Sequence, residues 1–226
     1  MNAVITYIFG KNKEILRTPL VIDPDVEYIC VTDQPDLKSD VWKIVIDPMP
    51  EISSNRDKMA LVKYNPFKYT NAEKILVMDG SFEIKNSLEL LFSHFVYDIG
   101  LKYHPIRDYL GEELPVWKKC RNLPDITIQK FKVIAKTDNI DLNKVRLYET
   151  SVILYNNNEL NKDICDVVLK YMKILGENGN FIITNQCPLS YIMCKYFDNA
   201  KVQHIDRNEY FNRYLHNTNK LVIEKR

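Results

Sequence analysis

The chain has 226 residues, 46% hydrophobic, 27% charged and 11% aromatic, which is enough apolar material to bury a sizeable core and excludes a disordered or collagen-like chain. Lys+Arg of 31 against Asp+Glu of 30 gives a formal charge of +1, so nothing in the overall charge favours nucleic acid, and any cationic site has to be local. Five cysteines (Cys30, Cys120, Cys165, Cys187, Cys194) stand at scattered spacings without a CxxC pair, which argues against a zinc knuckle or a disulfide framework and points to a reducing cytoplasm.

The first apolar run, Ala3 to Phe9, is too short to span a bilayer and lacks the basic leader and cleavage site of a signal peptide, so it reads as a strand. Short runs rich in β-branched and aromatic residues follow at Tyr28 to Thr32, Trp42 to Ile46 and Lys74 to Met78, and predict further buried strands. Between the last two, SSNRDKMALVKY sets Ser54 three residues ahead of Asp57, as in a capping box, with Met59, Leu61 and Val62 as apolar positions; it predicts a crossing helix. NSLELLFSH predicts another, with Ser87 as N-cap and Leu88, Leu91 and Phe92 on one face.

From Lys102 to Asn143 periodicity is weakest, and an irregular excursion over the site is expected there. Tyr148 to Tyr155 is strand-like again. Ile164, Val167, Val168, Tyr171, Met172 and Leu175 share a helix face that Gly176 or Gly179 can end. A last helix is expected to start near Pro188 and to run through Leu189, Ile192, Met193, Tyr196 and Phe197. No run approaches the roughly 20 apolar residues of a membrane helix, and no linker divides the chain. The expectation is one α/β domain over 1–226, with a mixed, mainly parallel central sheet flanked by helices.

Ligands of open α/β sheets bind beyond the carboxyl ends of the strands, so the residues closing each run are the candidates. Asp33 closes the second and Asp79 the fourth; singly, each is as readily a turn residue. Asp79 follows a nearly continuous apolar run and precedes Gly80, where backbone can approach a ligand. An acid there can hold a divalent cation that neutralises a diphosphate leaving group.

KYHPIRDYLGEE places His104, Arg107 and Asp108 within five positions. If Pro105 opens a helix, Asp108 lies one turn above His104 and the Arg107 fork can meet an anion, although a surface Arg and Asp pair gives the same spacing. Arg56 and Lys63 share a helix face that receives phosphates or forms a solvated rim. Glu149 interrupts the apolar run LYETSVIL and needs either a basic partner or a function. Asn185 and Gln186 precede Pro188, where Asn is an ordinary cap. HExxH, GxSxG, Walker and GxGxxG patterns are all missing, which argues against a zincin, an elbow-type serine hydrolase, a P-loop enzyme and a dinucleotide dehydrogenase.

Read in order, TYIFG, YICVTD, VKYNPFKY, VMDGSFEI, KYHPIRD, LYETSVILYNN and NQCPLSY resemble the successive blocks of the glycosyltransferase-like domain named after plant mucilage and turgor-defect proteins. That family's blocks read approximately YxxxFGxYD, YICFTD, a helix ending KxLPH, WIDGNxEI, HPxRD, LYETGVIL and DQxSF. The resemblance runs from about Thr6 to Tyr196 and implies a GT-A-like nucleotide-diphospho-sugar transferase fold. Asp79 and Ser81 stand where such enzymes place a DxD-type motif, with Ser81 in place of the second acid. Lys63 matches the basic helix position, Ala60 falls where an arginine is expected, and Arg56 is the compensating cation. Asn185 replaces an Asp while Gln186 is retained. His104, Pro105, Arg107, Asp108, Leu147, Tyr148, Glu149 and Thr150 match their blocks.

The activity this implies is transfer of a sugar from a nucleotide-diphospho-sugar to a glycan or glycolipid acceptor, in a cytoplasmic or membrane-peripheral setting such as capsule or surface-polysaccharide synthesis. Asp33 is expected at the base or ribose. Asp79, Gly80 and Ser81 are expected to hold the ribose or a Mn²⁺ or Mg²⁺ ion, with His104 as the other candidate metal ligand. Arg56, Lys63 and Arg107 would offset the diphosphate charge, and Gln186 belongs to the donor side. Glu149 would deprotonate or orient the acceptor, with Asp108 beside it in the catalytic group. Two rivals stand against this: a noncatalytic sugar-nucleotide or glycan-binding module, for which Ser81 and Asn185 mark a degenerate site, and a nucleotidyltransferase, against which the single glycine of Gly10-Lys11-Asn12-Lys13 counts.

Overall fold

Three sequence runs that are apolar on both faces become strands covered on both faces: β1 (Asn2–Ile8), β2 (Val26–Thr32) and, after the half-exposed edge strand β3 (Lys43–Ile46), β4 (Lys74–Met78). They pair in parallel in the order β3-β2-β1-β4. The computed structural model describes residues 1–10, 15–121, 123–176, 181–182, 185–214 and 220. Lys11 to Lys13 and Gly179 lie outside the described residues.

Beyond β4 the sheet becomes mixed. After β5 (Phe82–Ile84) and β6 (Ile99–Tyr103), β7 (Tyr148–Asn156) runs antiparallel to both β4 and β6, and β8 (Val202–His204) closes the edge parallel to β6. The seven-stranded order is therefore β3-β2-β1-β4-β7-β6-β8, while β5 pairs with β9 (Phe211–Arg213) in a separate ribbon. From β1 the chain builds outward to β3, then returns to place β4 on the other side of β1. That reversal opens a crevice over the carboxyl ends of β1 and β4.

One apolar layer joins the sheet to α1 (Asn55–Tyr64), α3 (Leu114–Arg121), α4 (Asp125–Thr137), α5 (Glu159–Leu175) and α6 (Gln186–Tyr196). The other lies under the short α2 (Glu89–Ser93), α7 (Arg207–Tyr210) and the β5–β9 ribbon. Among the described residues no helix is long and apolar enough to cross a membrane.

The structure alters several expectations. The stretch from Lys102 to Asn143 is largely helical, because Ile128, Phe131 and Ala135 of α4 give a buried face against Trp117 of α3. Pro105 opens no helix: the segment after β6 turns back, with His104 Nδ1 accepting the N–H groups of Ile106 (3.3 Å) and Arg107 (3.1 Å). Among the described residues, of the crossings between the first four strands only the one carrying α1 is helical. The α2 N-cap is Leu88, and Ser87 instead accepts the Glu89 N–H and donates to Asp23. α6 begins two residues before Pro188.

Candidate functional site

Helix α1 starts at Ser54, whose hydroxyl accepts the Asp57 N–H at 3.3 Å, and it carries Arg56, Ala60 and Lys63 on one face. All three line a cleft of about 250 Å³ together with Tyr7 of β1, Asp79 and Gly80 at the end of β4, Glu149, Thr150 and Ser151 of β7, Asn185, Gln186 and Arg213. This is the crevice at the strand-order reversal. Ala60 contributes a small side chain to this lining.

Asp79 is not a lone acid. Its Oδ1 lies 2.9 Å from Lys63 Nζ and also accepts the Tyr7 hydroxyl, so β1, β4 and α1 meet on one oxygen. Lys63 is 5% exposed and Asp79 32%, which sets a buried ammonium behind a carboxylate that reaches the open cleft. Asp57, also in the lining, is buried and accepts the Phe181 N–H at 3.1 Å.

Glu149 enters the cleft through a break in register. Leu101 of β6 pairs with Ile153, but the next residue, Lys102, pairs with Glu149, so Thr150, Ser151 and Val152 have no opposite number on β6. Such bulges re-aim side chains. Glu149 Oε1 accepts from the Arg207 guanidinium and from Ser151 Oγ (2.9 Å), Arg207 Nη1 donates to Ser151 Oγ (2.9 Å), and Lys102 Nζ stands 3.8 Å from Oε2. Arg207 is buried, with its guanidinium 4.9 Å from the centre of the Phe82 ring. Sequence reasoning missed Arg207; the only signal was that Glu149 required a partner.

Asn185 occupies the N-cap position of α6 without capping it, because its side chain accepts the Thr150 hydroxyl instead. Its carbonyl accepts Tyr64 Oη at 3.4 Å, a phenol whose pKa burial pushes well above the usual tyrosine value.

The remaining candidates are not among the residues lining the cleft. Asp33 lies at the same sheet edge and fixes the turn after β1: its Oδ1 accepts the Gly10 N–H at 2.9 Å, and Lys58 Nζ is 3.3 Å from Oδ2. Gly10 has φ +79° and a Cβ there would sit 2.2 Å from Asn55 Nδ2, so this turn requires glycine. Ser81 is buried, its carbonyl accepting the Tyr214 N–H. Arg107 is tied to the buried Glu113 and lies 2.8 Å from His104 Nε2, while Asp108 is exposed and 3.4 Å from Arg146. Burial, reinforced by Arg107, lowers the His104 pKa to about 4. Through His104 N–H to the Leu147 carbonyl (3.0 Å) and Leu147 N–H to the Asp108 carbonyl (2.9 Å), this turn braces the chain entering Glu149.

The donor set does not fit a resident divalent cation. Among the described residues no three His, Cys, Asp or Glu side chains converge on one point, Asp79 already faces an ammonium, and Glu149 is taken up by Arg207. What the cleft offers instead is cations, the buried Lys63 with Arg56 and Arg213, facing a carboxylate held by Arg207. Such a surface suits an anionic ligand with a polar group beside it. Compared with known families and curated proteins, the chain matches no family model and no curated protein.

Proposed function

We propose that the chain is a glycosyltransferase of GT-A-like fold that moves a sugar from a nucleotide-diphospho-sugar to a glycan or glycolipid acceptor, in a cytoplasmic or membrane-peripheral setting. The observation that carries this reading is the Asp79–Lys63 pair at the strand-order reversal, lining one cleft with Arg56, Arg213 and Glu149. The co-linear sequence blocks add to it, since the residues that carry them at Asp79, Lys63, Glu149 and Gln186 come together there.

In this reading the donor diphosphate lies against Lys63, Arg56 and Arg213. The acceptor hydroxyl bonds to the anomeric carbon, and the bond from that carbon to the phosphate oxygen breaks. Its electron pair leaves on the nucleoside diphosphate, and the hydroxyl proton is released with it. These cations stabilise the charge that grows on the leaving group, and Lys63, held by Asp79, does so without reorganising as it forms. Glu149, held by Arg207 and Ser151, orients the acceptor hydroxyl. Asp33 keeps the turn after β1 in place at the base side, and the turn from His104 to Asp108 positions the strand that carries Glu149.

A screen of UDP- and GDP-sugars with mixed oligosaccharide and glycolipid acceptors tests this. The expected result is acceptor-dependent release of nucleoside diphosphate. Release of pyrophosphate from a nucleoside triphosphate and a sugar phosphate would assign a nucleotidyltransferase instead, and binding without turnover would assign a noncatalytic module.

A further inference from the structure

Metal-assisted diphosphate departure needs an oxygen donor free to take the ion. Asp79 Oδ1 already receives Lys63 and Tyr7, which leaves Oδ2 of this carboxylate for an ion, and Lys63 is 5% exposed, so its ammonium is built in behind the carboxylate. A Mg²⁺ or Mn²⁺ ion on Oδ2, at the ~2.1 Å typical of such bonds, would stand within about 7 Å of the ammonium, whose charge opposes it. The position that would supply a second acid is Ser81, buried and outside the cleft lining. Two arginines, Arg56 on the exposed rim of α1 and Arg213 at the end of β9, border the same space.

From this geometry we infer that the donor diphosphate is bound without a divalent cation: Lys63, flanked by Arg56 and Arg213, supplies the charge a metal ion would bring, and Asp79 acts by fixing the Lys63 ammonium. The inference rests on the nucleotide-sugar reading above and specifies how that site handles its ligand. An ammonium carries three donors, and a phosphate oxygen entering the cleft takes a charge-assisted bond from Lys63 while Asp79 keeps another. Asp79 and Lys63 therefore have opposite importance from the one a metal site would give them.

The test is calorimetric titration of UDP, GDP and CMP into the full chain, once in EDTA and once in Mn²⁺. One nucleoside diphosphate is expected to bind with affinities equal within about threefold in the two buffers, a difference under ~1 kcal/mol. Lys63→Met is expected to weaken it by about tenfold or more, the loss of one charge-assisted bond, whereas Asp79→Asn, which loosens the ammonium, weakens it by the same factor in EDTA as in Mn²⁺. Should Lys63→Met fail to fold by circular dichroism, the exposed Arg56→Gln decides by the same loss. Binding that needs Mn²⁺ and disappears in Asp79→Asn would overturn the inference and leave the transferase reading standing. No nucleotide binding in either buffer would overturn both.

Discussion

Two carboxylate–cation pairs face the same cleft and differ in which partner meets solvent. At Asp79–Lys63 the carboxylate is 32% exposed and the ammonium 5%; at Glu149–Arg207 both are buried, at 8% and 1%. A closed pair is held by its own hydrogen bonds, including those through Ser151, and serves geometry. A half-open pair reaches the cleft through its carboxylate, and its ammonium, which also lines the cleft, can share its remaining donors with an incoming anion. The difference separates a residue that is placed from one that binds.

Breaking the closed pair carries the largest expected effect. Arg207→Met leaves Glu149 buried with Ser151 Oγ at 2.9 Å and the Lys102 ammonium at 3.8 Å, and is expected to cost about 3–5 kcal/mol in urea denaturation. The double variant Arg207→Met/Glu149→Gln should recover much of that loss, since no uncompensated charge then remains. Recovery of nothing would mean that packing against Phe82, not the ion pair, makes Arg207 necessary.

At the half-open pair, Lys63→Met leaves a carboxylate that water can reach. The expected stability loss is about 1 kcal/mol, well below that of Arg207→Met. Equal losses at the two pairs would erase the distinction between them.

Behind the closed pair, His104 gives the brace a pH signature. Its pKa is lowered from 6.5 to about 4 in the folded chain, so the unfolded chain takes up a proton first as pH falls. Stability is therefore lost progressively from pH 6.5 towards 4, and above 6.5 His104 contributes no slope. In His104→Asn that part of the slope should vanish, measured as the difference between the two proteins' denaturation midpoints across this window. A constant difference would show that His104 does not titrate in this way.

The smallest effect is expected at Asp108, an exposed side chain paired at 3.4 Å with a half-exposed Arg146. Asp108→Asn should change stability by no more than about 0.5 kcal/mol and leave nucleotide binding unaltered. A large loss of turnover in that variant would return Asp108 to the catalytic group.

The parts legible in the sequence were those with a long enough period or a continuous apolar run. β1, β2, β4 and β7 are covered on both faces, and α1 and α5 carry caps at Ser54 and Asn158. Strand direction leaves no such trace: a mixed, mainly parallel sheet was expected, but that β7 is the strand running against the rest shows only in the structure. In α4 the apolar Ile126 and Val133 are exposed at 74% and 61%, on the wrong face for the pattern, and they hid a helix whose core side is regular. β8, β9 and α7 have three or four residues each, too few to show a period.

At the site, sequence reading collected Arg56, Lys63, Asp79, Gly80, Glu149 and Gln186, and the structure brings all six to one cleft. It could not pair them. The Lys63–Asp79 and Arg207–Glu149 contacts join residues far apart in the chain, and a tertiary partner leaves no mark at its own position beyond an unexplained charge.

The most direct test of where the ligand sits is hydrogen–deuterium exchange of the chain with and without a saturating nucleoside diphosphate. The account predicts slowed exchange in peptides covering residues 55–64 and 78–81, with the turn at 104–108 unchanged. Protection confined to the 104–108 turn, with none at Asp79 or along α1, would contradict it.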